Sequence, residues 1–315
     1  IWRRSGREGF PIRLRREEAA ILLTEKGFLY KARTYAAFAG PSTFFFCTVI
    51  LLPFVFGVGL TFTDWDGFSA NFSYVGLENY QSVLGDDQVR HSFFLTLGYV
   101  CNVVVFTNIV GFALAYLLTS GIKGYNVCRV GFFTPNLIGG VVLGFLWSFI
   151  FSKVLVHIGK NAGIDLFSQS WLGKPDRAFW ALVIVTVWQK SGYLMVIYIA
   201  GLVSIPQDVL EAAKMDGATG FRKIKDIVLP LIVPSFVVSV FLIIQKGFMV
   251  YELNLALTNG GPYGSTELIS MSIYRTAFIS EQYGPGQAQA FLLFVVVVTV
   301  ALLQVYFTKK MEVEL

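Results

Sequence analysis

A run of about 20 apolar residues is the length of helix that crosses the hydrocarbon core of a bilayer. This chain has six such runs, at approximately residues 38–62, 93–119, 129–151, 178–203, 230–251 and 288–308. Backbone N–H and C=O groups in lipid must be paired within the segment, so each run is expected to be a helix. The expected fold class is all-α: a polytopic membrane protein with about six transmembrane helices. Only 14% of residues are charged and mean hydropathy is +0.63. Soluble domains carry nearer a quarter charged residues because their surfaces face water. The stretches 72–92 and 252–287 are too polar to span as simple lipid-facing helices.

Orientation follows from where positive charge falls. With the N-terminus inside, nine Lys and Arg lie in residues 1–33, two in the 120–129 loop and four in the 204–229 loop, with Lys309 and Lys310 at the end. The opposite side carries Arg90, Lys153, Lys160, Lys174, Arg177 and Arg275. Seventeen against six predicts that both termini are cytoplasmic, with the 152–177 loop as the exception. Asp64, Asp66, Glu78, Asp86 and Asp87 make the first outer loop acidic. Trp65, Trp147 and Trp180 lie near helix ends, as an interfacial aromatic belt requires.

Three domains are expected: a basic cytoplasmic segment over 1–34, a transmembrane body over 35–310 and a short cytoplasmic tail over 311–315. The chain begins at Ile1, so its natural start is expected upstream; what remains there is basic, unlike a cleavable signal peptide. Residues 13–31 read either as an interfacial amphipathic helix or as a loose tail. Cys47, Cys101 and Cys128 lie in or beside apolar runs with no CxxC spacing, which predicts packing roles and no disulfide framework. His91 and His157 lie far apart, so no metal site is expected. Asn71-Phe72-Ser73 fits a glycosylation sequon, a short pattern that is expected to have no meaning here.

The segment before the fifth run, residues 205–234, is the informative one. Gln207 to Met215 is built of good helix formers opened by Pro206, and Asp216-Gly217 ends it, since Gly takes the left-handed conformation of a helix stop. A second short basic helix follows from Phe221 to Ile227, and Pro230 is expected to open helix five, where a missing N–H costs little. The product is a helix–turn–helix ledge. By composition alone it could lie on lipid headgroups.

The spacing of the ledge is more specific. Glu211-Ala212-Ala213, three residues, Gly217, nine residues and Ile227-Val228-Leu229-Pro230 resembles, at every anchor, the EAA signature of permeases from binding-protein-dependent ABC importers. That resemblance implies the type I ABC importer permease fold, with 205–230 as a coupling loop docked on a separate ATPase. Glu211, Ala212, Ala213, Asp216, Gly217, Arg222, Ile227, Leu229 and Pro230 would then be the coupling residues, with Lys223 as a further polar contact. The chain itself is expected to bind no cofactor, ATP and Mg being used by the partner ATPase. The other implied partners are a second permease subunit, a dimer of ATP-binding subunits and an extracytoplasmic solute-binding protein.

Further fragments resemble the carbohydrate-uptake branch, and within it the larger membrane subunit of the maltose type. They are Thr61-Phe62-Thr63-Asp64-Trp65, Val75-Gly76-Leu77-Glu78-Asn79-Tyr80, Leu257-Thr258-Asn259-Gly260-Gly261-Pro262, Ser265-Thr266-Glu267 and Tyr274-Arg275-Thr276-Ala277-Phe278. The implied function is translocation of a sugar or oligosaccharide across a bacterial plasma membrane by alternating access. The alternatives are a permease for another polar solute such as glycerol phosphate or, from a different class, an ATP-independent channel or membrane enzyme.

Polar side chains inside a membrane are costly unless they face a cavity or one another, so they nominate a pathway. Lys190 lies mid-run beside Gln189, and helical spacing puts Thr186 and Tyr193 on its face. Trp188 adds a flat apolar surface. The resemblance puts sugar contacts at Thr186, Gln189, Lys190 and Tyr193, and Asn136 after Pro135 is a similar candidate. On helix five the corresponding positions are Ile243, Gly247 and Val250, which lack the amides of the maltose type and argue against maltose-like contacts. Gln245 and Lys246 supply polarity nearby. Asn102, Thr107 and Asn108 read better as interhelical hydrogen-bonding groups. The chain has no GxxxxGK[ST], HExxH or GxSxG motif, so no catalytic role is expected and ATP hydrolysis is left to another subunit.

Overall fold

The computed structural model describes residues 33–69 and 72–309, with side chains to 307. The expected helix over 13–31, nearly all of segment 1–34, Asn71 and the tail 311–315 lie outside the described residues. The chain divides at Gly59 into two compact units. The first contains almost all of helix α1 (Gly40–Leu60), which turns through a π-helical stretch at Phe46–Leu51 and exposes Phe44, Phe45, Val49 and Leu52. Such a helix presents apolar side chains all round, which suits lipid.

Among the described residues the regular structure of the second unit is helical, with one isolated bridge between Thr63 and Tyr74. Its elements are α2 (Glu78–Gly85), α3 (Asp87–Thr119), α4 (Tyr125–Phe133), α5 (Gly140–Ala162), α6 (Pro175–Val203) and α7 (Gln207–Met215). They continue as α8 (Gly220–Leu231), α9 (Val233–Phe248), α10 (Glu252–Leu257), α11 (Ile269–Tyr274) and α12 (Tyr283–Lys309). Among the described residues, five helices are long and apolar enough to cross a membrane, and the bent pair α8–α9 makes a sixth. About six spans were expected, and about six are found.

The centre is α6, the most enclosed of these helices, packed along α3 and touched by α4, α9 and α10. Its buried Ala181, Leu182, Leu194 and Met195 join Tyr99 and Val103 of α3 in one core. A polar triad pins three helices together inside it. Tyr198 donates to Asn108 Oδ1 at 2.6 Å, Ser239 donates to the same oxygen at 2.7 Å, and the two hydroxyls are 2.8 Å apart. Asn108 thus acts between helices as expected, whereas Asn102 folds back onto the Gly98 carbonyl and the Thr107 hydroxyl is buried without a partner.

Two expected boundaries shift. The run 129–151 is broken near its start: α4 ends at Phe133, Thr134–Leu137 tightens into a 3₁₀ turn and the long helix is Gly140–Ala162. Pro135 supplies no N–H, and the chain is extended at Ile138 and Gly139. Much of the expected 152–177 loop is therefore helix, and Lys153 and Lys160 extend α5. Pro230 likewise does not open helix five. Helix α8 runs through it, and α9 opens at Val233-Pro234 after a 74° bend. Prolines 230 and 234 remove consecutive i→i−4 donors from one side of the helix, which a straight helix does not tolerate. The π stretch Ile224–Val228 just before them relaxes the same crowding.

The family fragments meet each other in space. Asn79 donates to the carbonyls of Thr61 and Thr63, both at 2.8 Å, and Tyr80 bonds Thr61. Asn254 donates to Thr266 O at 2.7 Å, Thr266 bonds Thr258, and buried Glu267 pairs with Arg275. The acidic residues of segment 64–87 are used locally. Asp64 accepts from the Ser73 amide, and Asp66 is held at about 2 by the Ser69 hydroxyl and by the Ser69 and Phe68 amides.

Candidate functional site

The ledge and a polar cavity are the two places where chemistry-bearing side chains gather. The ledge comes first in its local logic. Pro206 caps α7, which ends at Asp216, and Gly217 follows with φ of +75°. The Gly217 amide bonds Lys214 O at 3.2 Å and the Ala218 amide reaches Ala213 O at 2.9 Å. This paired pattern is the Schellman stop, completed by apolar contact between its third-last and second-following residues. Here those residues are Ala213 and Ala218, both buried.

That placement corrects one expectation. Ala213 is only 5% exposed and belongs to the inner face of the ledge, so it offers no surface for another protein. Ile205, Leu210 and Val228 bind the same inner face to the core. Glu211, Ala212, Asp216, Arg222, Leu229 and Pro230 are exposed, and Ile227 is half-buried. Arg222 pairs with Asp226 at 3.6 Å in the open, an ion pair of little energetic weight. Two large apolar side chains that the spacing argument passed over, Met215 and Phe221, stand on the outer face at 87% and 78% exposure. An apolar residue following a helix stop was the available signal.

The second place is a cavity of about 530 Å³ between α6, the α9–α10 junction and the broken segment before α5. Asn136, Gln189 and Lys190 line it together with Gln245, Lys246, Tyr251 and Glu252. Lys190 lies close to the middle of the 29-residue α6 and donates to Asn136 Oδ1 at 3.3 Å. Gln189 donates to the Ile138 carbonyl at 3.0 Å, which ties α6 to the break after Pro135. On the other wall, α10 lies against Gly140 and Gly144. A Cβ at those glycines would sit 2.9 Å from Glu252 Cβ and 2.5 Å from Ala256 Cβ. This spacing of small residues lets helix backbones approach, and it holds Glu252 at the cavity.

Other expected pathway residues are directed elsewhere. Thr186 is buried and shares a 2.7 Å hydrogen bond with Tyr99 of α3. Tyr193 is half-buried against the apolar core, and Gly247 packs on Val100. Trp188 lines a separate cavity of about 420 Å³ with Cys128, Pro135 and Gly192. Helical spacing had put Thr186 and Tyr193 beside Lys190, but α6 is packed by several helices and meets different neighbours along its length. Tyr251 was missed because 230–251 read as one uninterrupted apolar run, whereas the chain leaves the helix at Met249, and Glu252 because it opens the polar stretch 252–287.

Comparison with known proteins gives these features a context. Residues 107–313 match the family described as "Binding-protein-dependent transport system inner membrane component". The chain is 40% identical over 281 residues to the "Probable starch degradation products transport system permease protein AmyD" of Thermoanaerobacterium thermosulfurigenes, covering 89% of this chain and 96% of that one. It is 31% identical to the "Multiple sugar-binding transport system permease protein MsmF" of Streptococcus mutans, over 83% of this chain and 90% of the relative. In fold it is similar to a chain of a bacterial ABC transporter for import of the acidic polysaccharide alginate, with a TM-score of 0.76 at 20% identity, covering 93% and 99% of the two chains.

Proposed function

The chain belongs to the family of binding-protein-dependent transport system inner membrane components, and from that premise we propose that it moves a sugar or oligosaccharide through the membrane while a separate subunit hydrolyses ATP. The names of the two sugar-transport relatives support the substrate class. The working assembly is a second permease, two ATP-binding subunits and an extracytoplasmic solute-binding protein, in a bacterial plasma membrane. ATP and Mg belong to the ATP-binding subunits. The charge asymmetry supports cytoplasmic termini and puts the ledge on the cytoplasmic side.

The observation that carries this reading is the outer face of the ledge. Glu211, Ala212, Met215, Asp216 and Phe221 are all uncovered by the chain itself. Large apolar side chains exposed beside charges are what a protein partner covers. Lipid is the poorer occupant. Residues 207–226 contain four acidic and four basic side chains, whereas segments that bind anionic headgroups are strongly basic. Movement of the ATPase pair would pass through Glu211, Ala212, Asp216, Gly217 and Arg222 into Ile227, Leu229 and Pro230 of α8, and so into the bundle around the cavity. Asn136, Gln189 and Lys190 are the pathway residues that this bundle brings together, while Thr186, Tyr193 and Gly247 support the helices around it.

A single cysteine tests the assignment. With Cys47, Cys101 and Cys128 replaced, Ala212→Cys in the complete importer should crosslink to the ATP-binding subunit and resist impermeant thiol reagents applied outside. Labelling from outside, or normal uptake without any crosslink to that subunit, overturns the reading.

A further inference from the structure

The cavity of about 530 Å³ contains more positive charge than a neutral sugar would require. Lys190 and Lys246 both line it, against the single carboxylate of Glu252. Neither amine enters a salt bridge among the described residues. Lys246 has partial compensation: it stands in the last turn of α9, where unpaired carbonyls favour a cation. Lys190 stands midway along an apolar helix and donates to one amide oxygen, that of Asn136. An ammonium at that depth is retained where it faces a cavity or a counter-charge.

Hydroxyl recognition does not account for this pair. Asn136, Gln189 and Gln245 already supply amide donors and acceptors to the same walls. A second ammonium adds repulsion unless the guest is negative. We propose that this cavity is an anion-binding subsite, and that the transported saccharide carries a carboxylate or phosphate group which Lys190 and Lys246 grip from two helices. The proposal rests on the sugar-permease reading and names its substrate class. Glu252, fixed on the far wall by the Gly140 and Gly144 contact, leaves room for hydroxyl donors of the same guest. Because one lysine is on α6 and the other on α9, an anionic guest would draw together two helices that a neutral guest would leave apart.

The test uses both permeases with their two ATP-binding subunits in lipid nanodiscs, leaving out the solute-binding protein so that selection by that protein does not enter. Three probes are titrated: maltose, a disaccharide bearing one uronate, and glucose 6-phosphate. Losing one charge-assisted hydrogen bond is expected to weaken binding by roughly 10- to 100-fold. The uronate or the phosphate ester should therefore bind at least about tenfold tighter than maltose, and Lys190→Gln or Lys246→Gln should erase the difference. Lys190→Arg keeps the charge and should retain most of it, which separates charge from folding. The tighter of the two anions identifies the group. If maltose binds, stimulates ATP hydrolysis and equals both anions, the charge inference falls while the sugar-permease reading stands, and the lysines belong to an interface with the second permease. If no probe binds, the anion subsite is overturned, while the sugar-permease reading is judged separately, by uptake with the solute-binding protein restored, and falls only if no saccharide is taken up then.

Discussion

Replacing Gly217 with valine isolates the turn of the ledge from everything around it. The position has φ of +75°, and a Cβ built there meets no atom within 4 Å. Bulk is therefore free within this chain, and the whole intrinsic cost is backbone strain. A left-handed conformation costs an L-residue roughly 1–2 kcal/mol, with asparagine the tolerated exception. Alanine should lie at the low end of that range and β-branched valine at or above the high end. One to two kcal/mol shifts an equilibrium by about 5- to 30-fold. Here the equilibrium is between the closed stop, with its Lys214 and Ala213 carbonyl bonds, and a frayed turn. The assay is sugar uptake per ATP hydrolysed in proteoliposomes of the complete importer, with the chain at equal abundance. Uptake should fall in the order glycine, asparagine, alanine, valine, while membrane insertion stays normal. Wild-type coupling in the valine variant refutes the argument, and so does an asparagine variant as impaired as valine. The second result would mean that a partner occupies the open space and that contact, not strain, sets the loss.

Two further outcomes follow from packing. Gly192→Ala would put a Cβ 1.8 Å from the Phe132 carbonyl oxygen, an overlap that forces the α4–α6 contact apart at a cost of at least about 2 kcal/mol; chain accumulation in membranes should drop sharply, and wild-type levels would disprove the contact. Asn108→Ala removes the acceptor shared by Tyr198 and Ser239 and should lower stability by about 1–2 kcal/mol. In a denaturation series with Ser239→Ala, the double variant should fall short of the sum, and additivity within ~0.3 kcal/mol would show that the three groups do not act together.

Much of this molecule can be read from residue order alone, for reasons that are local. Apolar run length reports a span whatever its neighbours are, so α1, α3, α6 and α12 stand where the runs stand. The stop at Asp216-Gly217 is likewise fixed by four or five adjacent residues. What depended on tertiary neighbours was less legible. Pro230 has the features of a helix opener, but Pro234 one turn later takes that role and the helix bends between them. Thr186 has the spacing of a pathway residue, yet Tyr99 approaches from α3 and takes its hydroxyl. Glu252 is a plain loop acid in sequence, and only the small residues Gly140 and Gly144, more than 100 positions earlier, bring it to the cavity. Lys190, Gln189 and Asn136 were found because a polar group within an apolar run is conspicuous on its own.

The 74° corner between α8 and α9 has a mechanical meaning of its own. The segment Gly220–Leu231 has 12 residues, roughly 18 Å at helical rise, and it meets α9 at Ile232, which is almost completely buried. A straight rod pushed at its end transmits thrust along its axis. A cranked one seated at its elbow turns thrust into torque, so that a sideways step of about 3 Å at the far end of an 18 Å arm corresponds to about 10° of rotation. Lys246 stands near the opposite end of α9, on the cavity wall. Two prolines spaced one turn apart therefore set the gear ratio between a surface displacement and the aim of a charge on the cavity wall.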